Sequence, residues 1–158
     1  MSPVPTRQLG KNGPQVPALG FGAMGLSYGY STPGPDSERF ALLDRAFELG
    51  LTFWDTADVY ADSEDLLGAW FKRTGKRDSI FLASKFGGSM DSGTWTTDSS
   101  PAYCKAACEK SLKRLGVDSI DLYYCHRVDS VTPIEHTVAA MAELVKYVAY
   151  LFYLICEI

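Results

Sequence analysis

Strands alternating with helices predict an α/β fold, with βαβ units laid around a parallel sheet. Three features of the sequence carry that expectation. Short apolar runs recur at LTFW, IFLAS and IDLYYC. Between them, apolar residues return at helical spacing, as in Phe40, Leu43 and Phe47. Helix punctuation then falls where it should, with Ser100-Pro101 as a start and Gly50, Gly75 and Gly116 as stops. A doubly wound sheet and a (β/α)8 barrel both satisfy the pattern. The dinucleotide fingerprint G-x-G-x-x-G is absent, because Phe21-Gly22-Ala23-Met24-Gly25 lacks that spacing and does not open a helix directly.

The elements follow in order. Asn12-Gly13-Pro14 is turn chemistry, predicting a small N-terminal hairpin and then an apolar strand near Ala18 to Met24. Residues 27–35 are loop by composition. A helix opens at Asp36-Ser37, and LTFWDTA is a buried strand. A second helix runs from about Ser63 to Arg73, and Ile80 to Ser84 is the next strand. Gly87 to Ser100 is aperiodic and rich in Gly, Ser, Thr and Asp, hence a long loop. Cys104, Ala107, Cys108, Leu112 and Leu115 form one face of the third helix. Ile120 to Cys125 is strand, and a last helix from Thr132-Pro133 turns Val138, Met141, Leu144 and Val145 inward.

The chain has 158 residues, 46% hydrophobic and 22% charged, the composition of a globular protein. A net charge of −4 gives no footprint for nucleic acid or an anionic membrane. The basic cluster Lys72, Arg73, Lys76 and Arg77 sits at a helix end, where cations complement the dipole. The first residues lack the apolar core of a signal peptide. The longest apolar stretch, Tyr147 to Cys156, is far short of the roughly 20 residues that span a bilayer. A cytoplasmic location is therefore expected. The four cysteines, Cys104, Cys108, Cys125 and Cys156, read as reduced thiols, and no metal site is expected.

Polar residues stand where apolar strands end. Asp55, Thr56, Asp58 and Tyr60 follow LTFW, Lys85 follows IFLAS, and His126 and Arg127 follow IDLYYC. Taken singly, each has an ordinary reading: a turn acid, a half-buried aromatic, a solvated lysine, a loop histidine. Together, at three successive strand ends, they form a coherent set. A phenol is a poor acid at neutral pH, and a nearby ammonium lowers its pKa. Lys85 held by Asp55 would act so on Tyr60, making Tyr60 a proton donor to a carbonyl oxygen that His126 orients. No Ser or Cys in the set is activated, so the nucleophile for the carbonyl carbon is expected to be a nicotinamide hydride. A metal-dependent hydrolase using His126 and the Asp pair lacks an H-x-H or a carboxylate cluster.

The stretches LGFGAMGLS (19–27), FWDTADVY (53–60), EDLLG (64–68), ASKFG (83–87), SLKRLGVDSIDLYYCHRVD (111–129) and PIEHTVAAMAELVK (133–146) resemble the aldo-keto reductase superfamily. The likeness is strongest to members similar to potassium-channel β-subunits and to pyridoxal and aryl-alcohol reductases. The resemblance implies a (β/α)8 TIM barrel with an N-terminal β-hairpin across its bottom. It also implies NADPH-linked reduction of a small-molecule carbonyl substrate. By position, Tyr60 would be the general acid, Lys85 and Asp55 its tuning partners, and His126 the carbonyl-orienting residue. Gly22, Ala23, Met24 and Asp55 would lie near the cofactor. At Ala61 the family usually has Gly, so the loop after Tyr60 is expected to differ in geometry.

A barrel of this type takes about 250 residues. The sequence therefore predicts an N-terminal half of the domain over residues 1–146, with four of the strands, and an aberrant apolar tail over 147–158. Such a C-terminally truncated chain is expected to be inactive alone. The alternative to an enzyme is a non-catalytic isoform or partner-binding fragment. Substrate identity and oligomeric state stay open at this level.

Overall fold

The computed structural model describes residues 4–30, 32–90, 93–147 and 152–155. Strands β1 (Thr6–Gln8) and β2 (Gln15–Pro17) pair antiparallel as the expected hairpin. β3 (Phe21–Gly22) leads into a single helical turn, α1 (Met24–Ser27), so the apolar run there is half strand and half helix. α2 (Asp36–Glu48) ends at Gly50, whose φ of 79° is the left-handed conformation that glycine takes without steric cost. β4 (Phe53–Asp55) is followed by α3 (Ser63–Thr74), a short 3-10 turn at Arg77–Ser79, and β5 (Phe81–Phe86). α4 (Pro101–Leu115) starts at Ser100, whose hydroxyl accepts the Tyr103 N–H at 3.2 Å.

The stretch expected as plain loop contains a small hairpin, β6 (Gly88–Ser89) against β7 (Thr96–Thr97). β8 (Leu122–Cys125), α5 (Ile134–Tyr147) and β9 (Phe152–Ile155) complete the described chain. β9 lies inside the segment expected as an aberrant tail. It pairs in parallel with β8, so the described residues contain five parallel strands rather than four. Phe, Tyr, Leu and Ile are good strand formers, and the pairing satisfies backbone groups along β8.

The main sheet has the order β3-β4-β5-β8-β9, every neighbouring pair parallel. Each new strand joins beside its predecessor and the order never reverses. A doubly wound sheet requires a reversal. Right-handed crossovers repeated in one direction put every helix on the same face, which is barrel winding.

Pleat parity then sorts the side chains. On the helix side lie Trp54, Leu82, Phe86, Tyr123 and Cys125, all buried in one core with Leu67, Trp70 and Phe71 of α3 and Cys104, Cys108 and Leu115 of α4. Trp54 is the centre of an aromatic cluster, 4.6 Å from the ring of Trp70 and 6.1 Å from that of Phe71. Its indole N–H donates to the Leu51 carbonyl at 2.6 Å. On the opposite face the same strands carry Phe53, Asp55, Phe81, Ala83, Lys85, Leu122 and Tyr124. The inward face of α5 is Thr137, Ala140, Met141 and Leu144. Met141 and Leu144 are buried as expected and Val145 packs against the core, while Thr137, whose hydroxyl donates to the Ser99 carbonyl at 2.7 Å, and Ala140 widen the buried face. Cys104, Cys108 and Cys125 are buried free thiols, while Cys156 lies outside the described residues. Among the described residues, no helix is long and apolar enough to cross a membrane.

α3 and α4 touch closely at Gly68. A Cβ built there would lie 2.5 Å from the Arg114 carbonyl oxygen and 2.8 Å from that of Leu115. Gly68→Ala gains about 1 kcal/mol of helix propensity. It also forces backbone against backbone, an overpacking cost of about 1–3 kcal/mol that rigid carbonyls cannot relieve. The expected outcome is a net loss of stability, read as a lower urea midpoint at unchanged slope; a raised midpoint would contradict the close contact.

Candidate active site

Strand ends build the site. Asp55 is the last residue of β4, Lys85 the penultimate residue of β5, and His126 follows β8 directly. Tyr60 comes from the β4–α3 loop, its N–H bonded to the Ala57 carbonyl at 3.2 Å. All four expected catalytic residues meet at one end of the sheet. Lys85 is 6% exposed. Its ammonium donates to Asp55 Oδ1 at 2.5 Å and to the Thr56 carbonyl at 2.8 Å. It also stands 4.7 Å from the ring centroid of Tyr60 and 5.2 Å from that of Tyr124. The other Asp55 oxygen accepts the Tyr124 hydroxyl.

Tyr124 is a site residue that the sequence reading missed, because it sits in the run IDLYYC and counts there as apolar. A usable signal existed. Tyr124 is two residues before His126 and so shares its face of the sheet, and it is the register partner of Lys85 across β5 and β8.

Tyr60 Oη and His126 Nε2 are 3.5 Å apart. The two rings meet edge to face, with centroids 5.6 Å apart, and Trp95 also meets His126 edge to face at the same separation. Gly88 makes room for that tryptophan, since a Cβ there would meet its ring at 2.5 Å. Tyr28 stacks on Tyr60 at 6.3 Å.

Burial dominates the electrostatics. Burial, followed by the Asp55 carboxylate, pushes the Tyr60 phenol up to about 12. The sequence expectation was a lowered value, and the correction is physical: residue spacing shows which charges are near but not how much water is lost. The same burial, with Lys85 and Arg127 adding repulsion, pulls His126 down to about 4. At neutral pH the pair is therefore an intact phenol facing a neutral imidazole. Asp58, on the outer side of the same loop, is raised to about 7 by burial and by Glu64.

The residues expected near a cofactor divide. Gly22 is exposed at the end of β3, and a Cβ there would meet nothing within 4 Å. It pairs with Asp55 in the sheet. Ala23 is fully buried, with its N–H donated to the Asp55 carbonyl at 2.8 Å, so it offers no side chain to a ligand. Met24 is half-buried at the start of α1. Among the described residues, no three His, Cys, Asp or Glu side chains converge to hold a metal ion.

His126 supplies a direct test. Its depressed value predicts an imidazole resonance that is flat from neutral pH downward and titrates with a midpoint near 4. An unfolded histidine takes its proton at about 6.5. Between those values the unfolded chain binds more protons, so the His126 contribution to stability is full above 6.5 and is lost as pH falls toward 4. Asp58 acts with the opposite sign, its raised value favouring the fold as pH falls through about 7. The resonance of His126 is therefore the clean readout, and a midpoint near 6.5 would contradict the buried site.

Known proteins bear on these strand ends in two ways. Among curated sequences, the aldo-keto reductase str7 of Strobilurus tenacellus is 52% identical over 149 residues, covering 91% of this chain and 43% of its own length. The NADP(+) aldo-keto reductase yakc of Schizosaccharomyces pombe is 46% identical over 149 residues, covering 90% of this chain and 42% of its own. This chain thus spans less than half the length of these relatives. Among solved structures, the holo form of an aldo-keto reductase from Bacillus halodurans superposes with a TM-score of 0.82 at 37% identity, over 97% of this chain and 50% of that one. A putative aldo-keto reductase from Pseudomonas aeruginosa gives 0.84 at 31% identity, over 96% of this chain and 60% of that one. The fold is therefore part of a (β/α)8 barrel with an N-terminal hairpin, as the strand order indicates. The profile of the aldo/keto reductase family matches residues 18–149, most of the sequence, and the chain belongs to that family.

Proposed function

We propose that this chain carries the proton-delivering part of an oxidoreductase that reduces an aldehyde or ketone to an alcohol with hydride from NADPH. The observation that carries the reading is the Tyr60–His126 pair, 3.5 Å apart, one group holding its proton and the other uncharged at neutral pH. A carbonyl oxygen seated between them would accept a hydrogen bond from each. Tyr60 would then give up its proton to that oxygen as charge develops there. The phenolate left behind would stand beside the Lys85 ammonium, which Asp55 and Thr56 hold in place. Tyr124 fixes the second oxygen of Asp55, so the carboxylate keeps its orientation.

NADPH, when bound, would supply the hydride for the carbonyl carbon. The residues present fit the nicotinamide end of such a cofactor. Gly22 leaves open space beside Asp55, and Met24, half-buried, opens α1 two residues further on. Trp95, 44% exposed and packed on His126, would give an apolar wall to one side of the substrate. The name of the fission-yeast relative supports the choice of NADP(H). In this reading residues 1–146 form the family domain's share of the chain.

The test is turnover by the purified 158-residue protein with NADPH and 4-nitrobenzaldehyde, alcohol product being measured directly. Removing the acid by Tyr60→Phe is expected to cost about 10²–10⁴-fold in rate while leaving NADPH binding in place. Turnover that survives Tyr60→Phe unchanged would remove Tyr60 from the chemistry. Absence of any turnover in the unmodified chain would agree with the expectation that this part is inactive alone.

A further inference from the structure

Ala61 follows Tyr60 directly and has φ of 45°, the positive-φ position among described residues that is not glycine. An L side chain rarely adopts that conformation, so something around it must hold it there. The loop's own hydrogen bonds run from Ala61 N–H to Val59 O at 2.9 Å and from Ser63 N–H to Tyr60 O at 2.9 Å. These bonds do not use the carbonyls of Asp58 and Ala61, which lie on either side of Tyr60 in the chain.

Both carbonyls are taken by one side chain. Arg114, on α4, donates from Nη1 to the Asp58 carbonyl at 3.1 Å and from Nη2 to the Ala61 carbonyl. Its remaining donors go to the start of α3: Nη1 to Glu64 Oε2 at 3.1 Å, and Nε and Nη2 to Asp65 Oδ2 at 2.9 and 2.7 Å. Every N–H of the guanidinium has an acceptor. Glu64 is fully buried, and its other oxygen accepts the Ser84 hydroxyl at 2.7 Å. Ser84 precedes Lys85 on β5.

We propose that Arg114 is a positioning residue for Tyr60: its guanidinium brackets the Tyr60 loop by the carbonyls on either side and, through Glu64 and Ser84, ties that loop to the strand carrying Lys85. Arg114 lies on the helix side of the loop, so it acts on the site only through the groups it holds. The proposal rests on the functional reading above for its catalytic consequence. Its geometric content, that Arg114 sets where the Tyr60 ring sits, is independent of that reading.

Arginine is required by the shape of the task. A planar fork reaches two carbonyls and two carboxylates on separate edges, whereas a lysine ammonium gathers its donors at one point and cannot span them. Arg114→Lys keeps the charge and loses the bracket. Glycine takes the left-handed conformation without cost, so Ala61→Gly makes that part of the loop independent of the clamp. Asp65→Ala removes an exposed acceptor and serves as a milder variant that keeps Arg114 itself.

The experiment is solution NMR on the full chain with ring-labelled tyrosine, Tyr60 being assigned by its loss in Tyr60→Phe, together with circular dichroism and turnover. With the fold retained, Arg114→Lys is expected to broaden or shift the Tyr60 resonance and move its titration from about 12 toward the ordinary phenol value. Asp65→Ala should do the same to a smaller degree, and Ala61→Gly in the Arg114→Lys background should restore the wild-type signal in part. Where turnover is measurable, kcat should fall by about 10-fold or more with KM nearly unchanged, since small displacements of a reacting group are costly. A Tyr60 resonance and titration identical to wild type in both Arg114→Lys and Asp65→Ala would overturn the proposal, whether or not stability drops. If Arg114→Lys does not fold, the Asp65→Ala result decides. A wild-type chain without turnover leaves this test intact, because the Tyr60 signal still reports on the clamp.

Discussion

An ammonium withdrawn from water at the end of a strand has to be neutralised where it stands, and in this molecule the whole strand-end chemistry is arranged around that need. Lys85 reaches Asp55, the Thr56 carbonyl and the faces of two tyrosines. Asp55 can serve because β4 ends one strand away, in a register that sets it against Ala83 on β5. Tyr124 can serve because β8 sets it against Lys85 from the other side. Three adjacent parallel strands thus supply cation, anion and hydroxyl to one point. Moving any one strand by a residue would turn its contribution to the opposite face and leave the charge uncompensated.

Loss of water explains the protonation pattern as well. Burial disfavours whichever form carries charge, so it drives a phenol upward and an imidazole downward. Tyr60 and His126 therefore separate in opposite directions from one cause and are both neutral across the physiological range. A shared, partly dry pocket thereby makes one residue a proton holder and its neighbour a neutral hydrogen-bonding partner. The buried cysteines follow the same rule, with burial pushing Cys108 and Cys125 to about 11, which makes them packing groups rather than nucleophiles at neutral pH.

Much of this was legible in the sequence, and what was not has identifiable reasons. Asp55, Lys85 and His126 could be read because an apolar run that ends abruptly in a polar residue marks a strand end, and neighbouring strand ends converge. Tyr124 was hidden by chemistry that is apolar over most of its surface. The β6–β7 hairpin was hidden because two-residue strands of Gly, Ser and Thr carry no alternation. Thr137 was hidden on the buried face of α5 because its partner, the Ser99 carbonyl, lies far away in sequence. Arg114 carries no signal of its own in the sequence, being one of two cations in the last turn of α4. Its acceptors lie about fifty residues earlier in the chain, on another helix and loop. The direction of the Tyr60 shift depends on depth, and depth is a property of the assembled layers alone.

The unreversed strand order has a consequence for how the polypeptide acquires this structure. Strands β3, β4, β5, β8 and β9 stand in the sheet in the sequence in which a ribosome would deliver them. Along the described sheet, each strand after β3 thus finds its docking edge already built by the unit before it. Closing a short segment onto a waiting neighbour costs less chain entropy than closing a long loop. It also limits the time for which an unpaired edge is exposed to other chains. The winding that gathers Asp55, Lys85 and His126 at one end of the sheet therefore also suits assembly during synthesis, one layer at a time.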